Sequence, residues 1–411
     1  MLLSHLLRPV VRYGTVQIID AYGRTHVFGG GPGPTVTARL HDPKLGRDLF
    51  LNPRLRLGEA YMDGTFTVED ASLYDFLDCM ARNIADAPRT IFSPLLNGFG
   101  HAFRVFQQYN PIGRAQENVH HHYDLSKTLY DLFLDSDRQY SCAYFTAPDQ
   151  TIDQAQAQKK RHIAAKLLLK PGQRVLDIGC GWGGMALSLA KNCNVEVTGL
   201  TLSTEQLDAA RHRAAAAGLA ERVKFELLDY RLAQGTYDRI VSVGMFEHVG
   251  VVHYPAFFRK VHELLAPDGV ALLHSIGRSD GPGSTNPWIR KYIFPGGYSP
   301  ALSEVVPVIE HTGFFITDVE ILRLHYAETL KAWRTRFLAN RDKVRELYDE
   351  RFCRMWEFYL AGCEIAFRHQ GHMVMQVQLA KQVDAVPLTR DYITDWERSH
   401  VPPVAVDRAV A

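Results

Sequence analysis

The chain has 411 residues, with 46 basic and 45 acidic side chains and a formal charge of +1. Such a length buries a full core and accommodates two domains. The balanced charge supplies no global field toward nucleic acid, so no nucleic-acid partner is expected. Hydrophobic residues make up 46%, ordinary for a globular protein, and no apolar run approaches the roughly 20 residues of a membrane span. Met1–Val11 hold a short apolar run without a small-residue cleavage pattern, so no signal peptide is expected. Cysteines 79, 142, 180, 193, 353 and 363 are scattered without metal-type pairing and suit reduced thiols in a cytosol.

In chain order, residues 1–85 read as a small α+β domain. Alternating runs at Tyr13–Ile19 and Thr35–Leu40 predict strands around the glycine-rich turn Gly29–Pro34, and a helix is expected at Ser72–Ala85. Residues 86–118, with Pro88, Pro94 and Pro111, read as a linker with one amphipathic stretch at Phe99–Gln108. His120, His121 and His122 are adjacent, point in different directions and lack ligand spacing, so no metal is expected. Over 119–381 strand and helix alternate. Strands are predicted at 174–178, 195–200, 223–228, 238–243, 269–275, 314–323 and 373–380, the first five parallel, the last two an antiparallel edge pair flanking a helical region at Ala327–Arg368. Residues 280–300 read as a loop long enough to cover a site, and 382–411 as a polar, loosely ordered tail.

The most informative stretch is Val175–Gly184. An apolar strand breaks into a glycine-rich turn and a helix follows, so Gly179, Gly181 and Gly184 match G-x-G-x-x-G in the context a nucleotide loop requires. A dinucleotide fold ends its next strand on an acid that holds the ribose. Thr201 stands there instead, and the nearest acid beyond it, Glu205, falls on the following helix. With Asp177 in the first strand and Asp229 after the third, this favours S-adenosylmethionine over NAD. The expected fold is a Rossmann-like seven-stranded α/β sheet of the class I methyltransferase type, with the smaller N-terminal domain beside it.

Further motifs run through nearly the whole chain: Gly58–Gly64, His122–Ser126, Gln139–Phe145, Leu200–Ser203 with Gln206, Met245–Gly250, Leu273–Gly277 and Tyr292–Gly297. On these the sequence strongly resembles the cyclopropane-fatty-acid-phospholipid synthase family, including its mycolic-acid relatives, and its N-terminal piece resembles the phospholipid-acting branch. The resemblance implies methylene transfer from S-adenosylmethionine to the cis double bond of an unsaturated phospholipid acyl chain. The alkene attacks the sulfonium methyl, a carbocation forms, a base removes a proton from the transferred methyl, and the ring closes. It also implies that bound bicarbonate is that base, held by Cys142, Glu247, His274, Ile276 and Tyr326, with Cys363 a further active-site cysteine. Tyr123, Ser141, Asp177, Gly179, Gly181, Gly184, Thr201, Gln206 and Asp229 are the expected cofactor residues. A homodimer, and a cytoplasmic protein peripherally associated with the inner membrane surface, belong to the same expectation.

Physical chemistry supports part of this. An alkene is a poor nucleophile, so such an enzyme must align it with the methyl group and exclude water from the cation. Glu247 and His274 each stand at the C-terminal end of a predicted strand, where open α/β sheets bind ligands. A carboxylate there suits the hydroxyl of bicarbonate, while His274 and Tyr326 suit its other oxygens. Without the resemblance, Cys363 reads as part of a core stripe with Met355, Tyr359 and Phe367. Residues 331–368, with nine basic and six acidic side chains among aromatics, fit either a solvated helix face or a surface for an anionic bilayer; the basic N-terminal 60 residues are an equal candidate for the latter. Alternatives for the activity are a methyl- or methylene-branched acyl product, methylation of a small amine, and a lipid-binding scaffold. The complete set Cys142, Glu247, His274, Tyr326 and Cys363 disfavours the last two.

Overall fold

The computed structural model describes residues 2–85 and 126–400. The expected linker, the three histidines and Tyr123 lie outside the described residues, as do 401–411.

The N-terminal residues form a four-stranded sheet in the order β2-β1-β3-β4, from β1 (Thr15–Ile19), β2 (Thr25–Gly29), β3 (Thr35–Leu40) and β4 (Phe66–Val68). β1 pairs antiparallel with β2 and parallel with β3. The glycine-rich turn makes this possible: a Cβ at Gly31 would sit 2.0 Å from the Arg12 carbonyl oxygen. Helices α1 (Ser4–Leu7), α2 (Leu45–Leu51), α3 (Pro53–Met62) and α4 (Leu73–Ala85) complete this part.

The larger part begins with α5 (Lys127–Phe133) and α6 (Ile152–Lys166). Then β5 (Arg174–Ile178), α7 (Gly184–Cys193), β6 (Glu196–Thr201), α8 (Thr204–Ala216), β7 (Val223–Leu227), β8 (Tyr237–Val243), α9 (Tyr254–Leu264) and β9 (Leu265–Arg278) alternate. After them come α10 (Pro287–Tyr292), α11 (Leu302–Glu310), β10 (Phe315–Ile321), α12 (His325–Ala339), α13 (Arg341–Leu347), α14 (Glu350–His369), β11 (His372–Ala380) and α15 (Asp391–Ser399). The seven strands are ordered β10-β11-β9-β8-β5-β6-β7, and β5 to β9 run parallel. This is the Rossmann-like class I methyltransferase layout the sequence predicts. Leu273, Met375 and Val377 pack toward α9 and α11, while Val241 and Leu272 pack with α7 and α8 on the opposite face.

The last two strands form the expected antiparallel pair at the sheet edge, with β11 between β9 and the outermost β10. β11 is buried along almost its whole length, whereas β10 is half-exposed, so the strand covered on both faces takes the inner place of the pair. Three details differ from expectation. The helical region 327–368 is three helices, broken at Asn340 and Tyr348–Asp349, where the Asp349 carboxylate caps α14 by accepting from Phe352 N at 2.6 Å. The loop 280–300 contains α10, capped by Asn286. Its Trp288 is buried against Gly58, where a Cβ would lie 2.4 Å from the indole nitrogen. The tail also carries order: Glu397 of α15 bonds His162 Nδ1 of α6 at 2.9 Å.

α14 packs on α3 and α4, with Arg351–Asp63 (2.8 Å) and His369–Asp78 (2.7 Å) across the contact. Of the aromatics of 331–368, Trp333, Phe337 and Trp356 are buried, while Phe352 and Phe358 are half-buried. Its arginines are also paired, among them Arg334 with Glu364 and Arg341 with Glu350. Among the described residues no helix is long and apolar enough to cross a membrane.

Candidate active site

The glycine turn opens a cavity at the C-terminal ends of β5, β6 and β8. Ser141, Asp177, Gly179, Gly181, Thr201, Gln206 and Asp229 all line it. Gly179 and Gly181 have φ of +86° and +52°, the left-handed region where a side chain is strained. A Cβ on Gly181 would meet nothing within 4 Å, so that glycine faces open space. Gly184 is not in the lining. Its Cβ would lie 2.3 Å from Gln139 Nε2 and 2.5 Å from Asp137 Oδ2, so its role is to let segment 135–141 lie against the start of α7.

The polar groups of this cavity are held in place. Thr201 Oγ1 donates to Gln206 Oε1 at 3.0 Å, and Ser203 caps α8 by accepting from Gln206 N. Asp229 grips Arg231 through Nε at 2.8 Å and Nη2 at 2.6 Å. Asp177 is buried and its Oδ2 has no hydrogen-bond partner among the described residues. Burial pushes its pKa up to about 7, against the pull of Lys159.

A second cluster adjoins the first through shared backbone. Ser141 precedes Cys142, His248 of the cavity follows Glu247, and Gly244 N donates to the His274 carbonyl at 2.9 Å. Cys142, Tyr326, Ile276 and Cys363 belong to one apolar cluster with Trp333, Tyr359 and Phe367. Glu247 joins it by accepting from Ile276 N at 2.6 Å, and its Oε2 is buried with no partner among the described residues. Burial raises the Glu247 pKa to about 7.

His274 is not at a strand end. It pairs with Val243, the last residue of β8, but β9 runs on to Arg278 because β11 continues to pair with it. Gln376 Nε2 donates to His274 Nδ1 at 3.1 Å. Burial first, then the charge of Lys159, pushes the His274 pKa down to about 3, so the ring is neutral. Burial also raises the Cys142 pKa and takes Cys363 up to about 12, which keeps both as thiols rather than nucleophilic thiolates. The cluster offers a carboxyl with a spare oxygen, a phenol and thiols among aromatic side chains, with the neutral His274 imidazole two residues before Ile276 on β9.

Sequence reasoning missed Gln156, Lys159 and Gln376, each buried. Gln156 and Lys159 are in phase with Ile152, Ala155 and Ile163 on the inward face of α6. Gln376, with Gln378, interrupts the apolar run of β11. Polar residues at core-phase positions were the available signal.

Residues 112–377 match the family model described as mycolic acid cyclopropane synthetase. The chain is 38% identical over 346 residues to the cyclopropane-fatty-acyl-phospholipid synthase of Escherichia coli (strain K12), covering 84% of this chain and 88% of that one. It is 38% identical over 355 residues to a probable fatty acid methyltransferase of Pseudomonas putida, covering 83% and 86%. Among solved structures, mycolic acid cyclopropane synthase CmaA1 complexed with SAH and CTAB superposes with a TM-score of 0.61. That likeness has 36% identity and covers 66% of this chain and 99% of that one.

Proposed function

The chain belongs to the mycolic acid cyclopropane synthetase family, and from that premise we propose that it is a cyclopropane synthase acting on phospholipid acyl chains. S-adenosylmethionine is the proposed donor and bicarbonate the proposed base. The observation that carries the reading is the adjacency of two sites: a cavity at the glycine turn that sets Asp177, Gln206 and Asp229 among apolar side chains, and an aromatic-walled cluster where the Glu247 carboxyl keeps a spare oxygen. A methyl transfer to an alkene needs both, on either side of the transferred carbon.

The residues fit the two small molecules. Open space in front of Gly181, the unpartnered Asp177 oxygen and the fixed Gln206 side chain suit a zwitterionic nucleoside. The spare Glu247 oxygen accepts a hydroxyl, and His274 and Tyr326 donate. When bound, these molecules would supply an electrophilic methyl and a proton acceptor. The protein's own part is to exclude water with Trp333, Tyr359 and Phe367, to align the acyl chain, and to hold the anion without a nucleophilic thiolate nearby.

The E. coli relative's name supports phospholipid as substrate. The P. putida relative's name supports the second reading, a methyl-branched product. Methyl-labelled S-adenosylmethionine and monounsaturated phospholipid vesicles, followed by mass analysis of the acyl chains, separate them. A labelled cyclopropane is expected, a labelled branched chain selects the second reading, and unlabelled acyl chains overturn both. Homodimerisation and peripheral docking on the cytoplasmic membrane surface are part of the proposal. Sedimentation showing only monomer at micromolar protein removes the dimer. For docking, the N-terminal domain is the better surface, because Tyr22, Val27 and Leu51 are exposed there while the aromatics of 331–368 are buried or half-buried.

A further inference from the structure

Segment Gln139–Cys142 is the wall between the two halves of the site: Gln139 and Ser141 line the cavity, and Cys142 lies in the adjoining cluster. Two fully buried side chains of α6, one turn apart, hold that wall from behind. Gln156 Nε2 donates to the carbonyl oxygens of Gln139 (3.2 Å) and Ser141 (2.9 Å). Lys159 Nζ donates to Gln139 Oε1 (2.7 Å) and Ser141 Oγ (2.8 Å). Both Lys159 acceptors are neutral, and an ammonium has a third N–H to give.

A buried ammonium is costly unless negative charge lies close. Asp137 is already matched by Lys160 and Arg213. Asp135 accepts the backbone N–H groups of Asp137 and Gln139. Asp177 is the nearby acid whose charge burial suppresses, and Cys142 and His274, on the far side, carry no charge at neutral pH. Asp135 is the acid that pulls most on this ammonium, yet among the described residues no acid accepts from Lys159 Nζ or lies within ion-pair distance of it. Its charge is balanced only from a distance, while its direct contacts need no more than a neutral donor such as Gln156.

We propose that Lys159 is a positioning residue that supplies the positive charge for the anion held beside Cys142, Glu247 and His274, an inference that rests on the anion reading above. It acts through the wall, with Ser141 and Gln139 fixing its ammonium between the two halves. Burial holds its pKa down, to about 8, against the pull of Asp135, so the charge is present at neutral pH and fades in mild alkali.

The test titrates ¹³C-bicarbonate into the full-length protein, read by NMR line width, with cofactor affinity measured in parallel by calorimetry. Lys159→Met should weaken bicarbonate by roughly tenfold or more and the cofactor by under about threefold, while Lys159→Arg stays within about threefold of wild type on both. From about pH 7.5 to about pH 9 the wild type should lose bicarbonate affinity and Lys159→Arg should keep it. That comparison also decides the matter if Lys159→Met does not fold. Unchanged bicarbonate binding in Lys159→Met overturns the proposal, as does equal loss of both ligands, which would make Lys159 a structural prop. If the wild type itself binds no bicarbonate, the anion reading falls and the role of Lys159 with it, an outcome distinguishable because it needs no variant.

Discussion

Gln376 faces His274 directly across the antiparallel register of β9 and β11, and its Nε2 donates to His274 Nδ1 at 3.1 Å. That bond leaves the imidazole proton on Nε2, where it can be given to a bound anion. Gln376→Leu should lower turnover by about tenfold or more, the scale of an orienting partner behind a ligand-binding histidine, with cofactor affinity unchanged. Steady-state rates and calorimetry on the variant check this. Wild-type turnover would show that the tautomer is immaterial.

Glu247 carries a pH signature. Its folded pKa is raised by burial from 4.5 to about 7, so the folded state holds a proton that the unfolded state has released. The corresponding stability is fully present below pH 4.5 and is lost as pH rises through about 7, on the order of 3 kcal/mol. Glu247→Gln cannot ionise, so its melting temperature relative to wild type should climb across that window and level off above it. Its turnover should fall. Parallel melting curves with pH give the answer; a constant offset would place Glu247 in a wetter setting.

Gly181→Val puts a branched side chain at φ +52°, pointing into open cavity space. Backbone strain should cost on the order of 1–3 kcal/mol and leave the protein folded, while cofactor affinity drops by roughly tenfold or more. Calorimetry on the folded variant decides. Unchanged affinity would move the donor elsewhere.

The tail helix is latched by charge. His162 bonds Glu320 at 2.7 Å and Glu397 at 2.9 Å. Burial alone would lower its pKa, but those two bonds prevail and raise it. The raised value means stabilisation that is complete below about pH 6.5 and lost as pH rises through the folded pKa. Glu397→Gln should therefore cost about 1–2 kcal/mol at mildly acid pH and less in alkali. Denaturant unfolding at two pH values measures the difference, and an equal cost at both would refute the latch.

Docking on a bilayer should depend on the N-terminal domain. Vesicle co-sedimentation should strengthen with anionic lipid and weaken with salt. Val27→Asp, at a position 60% exposed on the edge strand β2, should reduce it several-fold. Binding that ignores lipid charge and survives Val27→Asp would dismiss this surface.

What the sequence by itself determined was the part encoded locally. The period of apolar runs, the break at Gly179–Gly184 and the motifs around Ser141, Glu247 and His274 are short-range patterns, and backbone sterics turn them directly into strands, a turn and a family resemblance. Only the tertiary structure decided which contacts close over them. Within the expected edge pair it set β11 inside and β10 outermost, because burial on two faces is a property of neighbours rather than of alternation. Gly184 left the cavity for a packing contact with Asp137 and Gln139, since the same glycine freedom serves either end. The aromatics of 331–368 turned inward, because a helix's apolar face is settled by what packs on it. Lys159 and Gln376 were hidden for the same reason. Polar side chains at core positions look like solvated ones until the fold shows the serine, glutamine or histidine that each one holds.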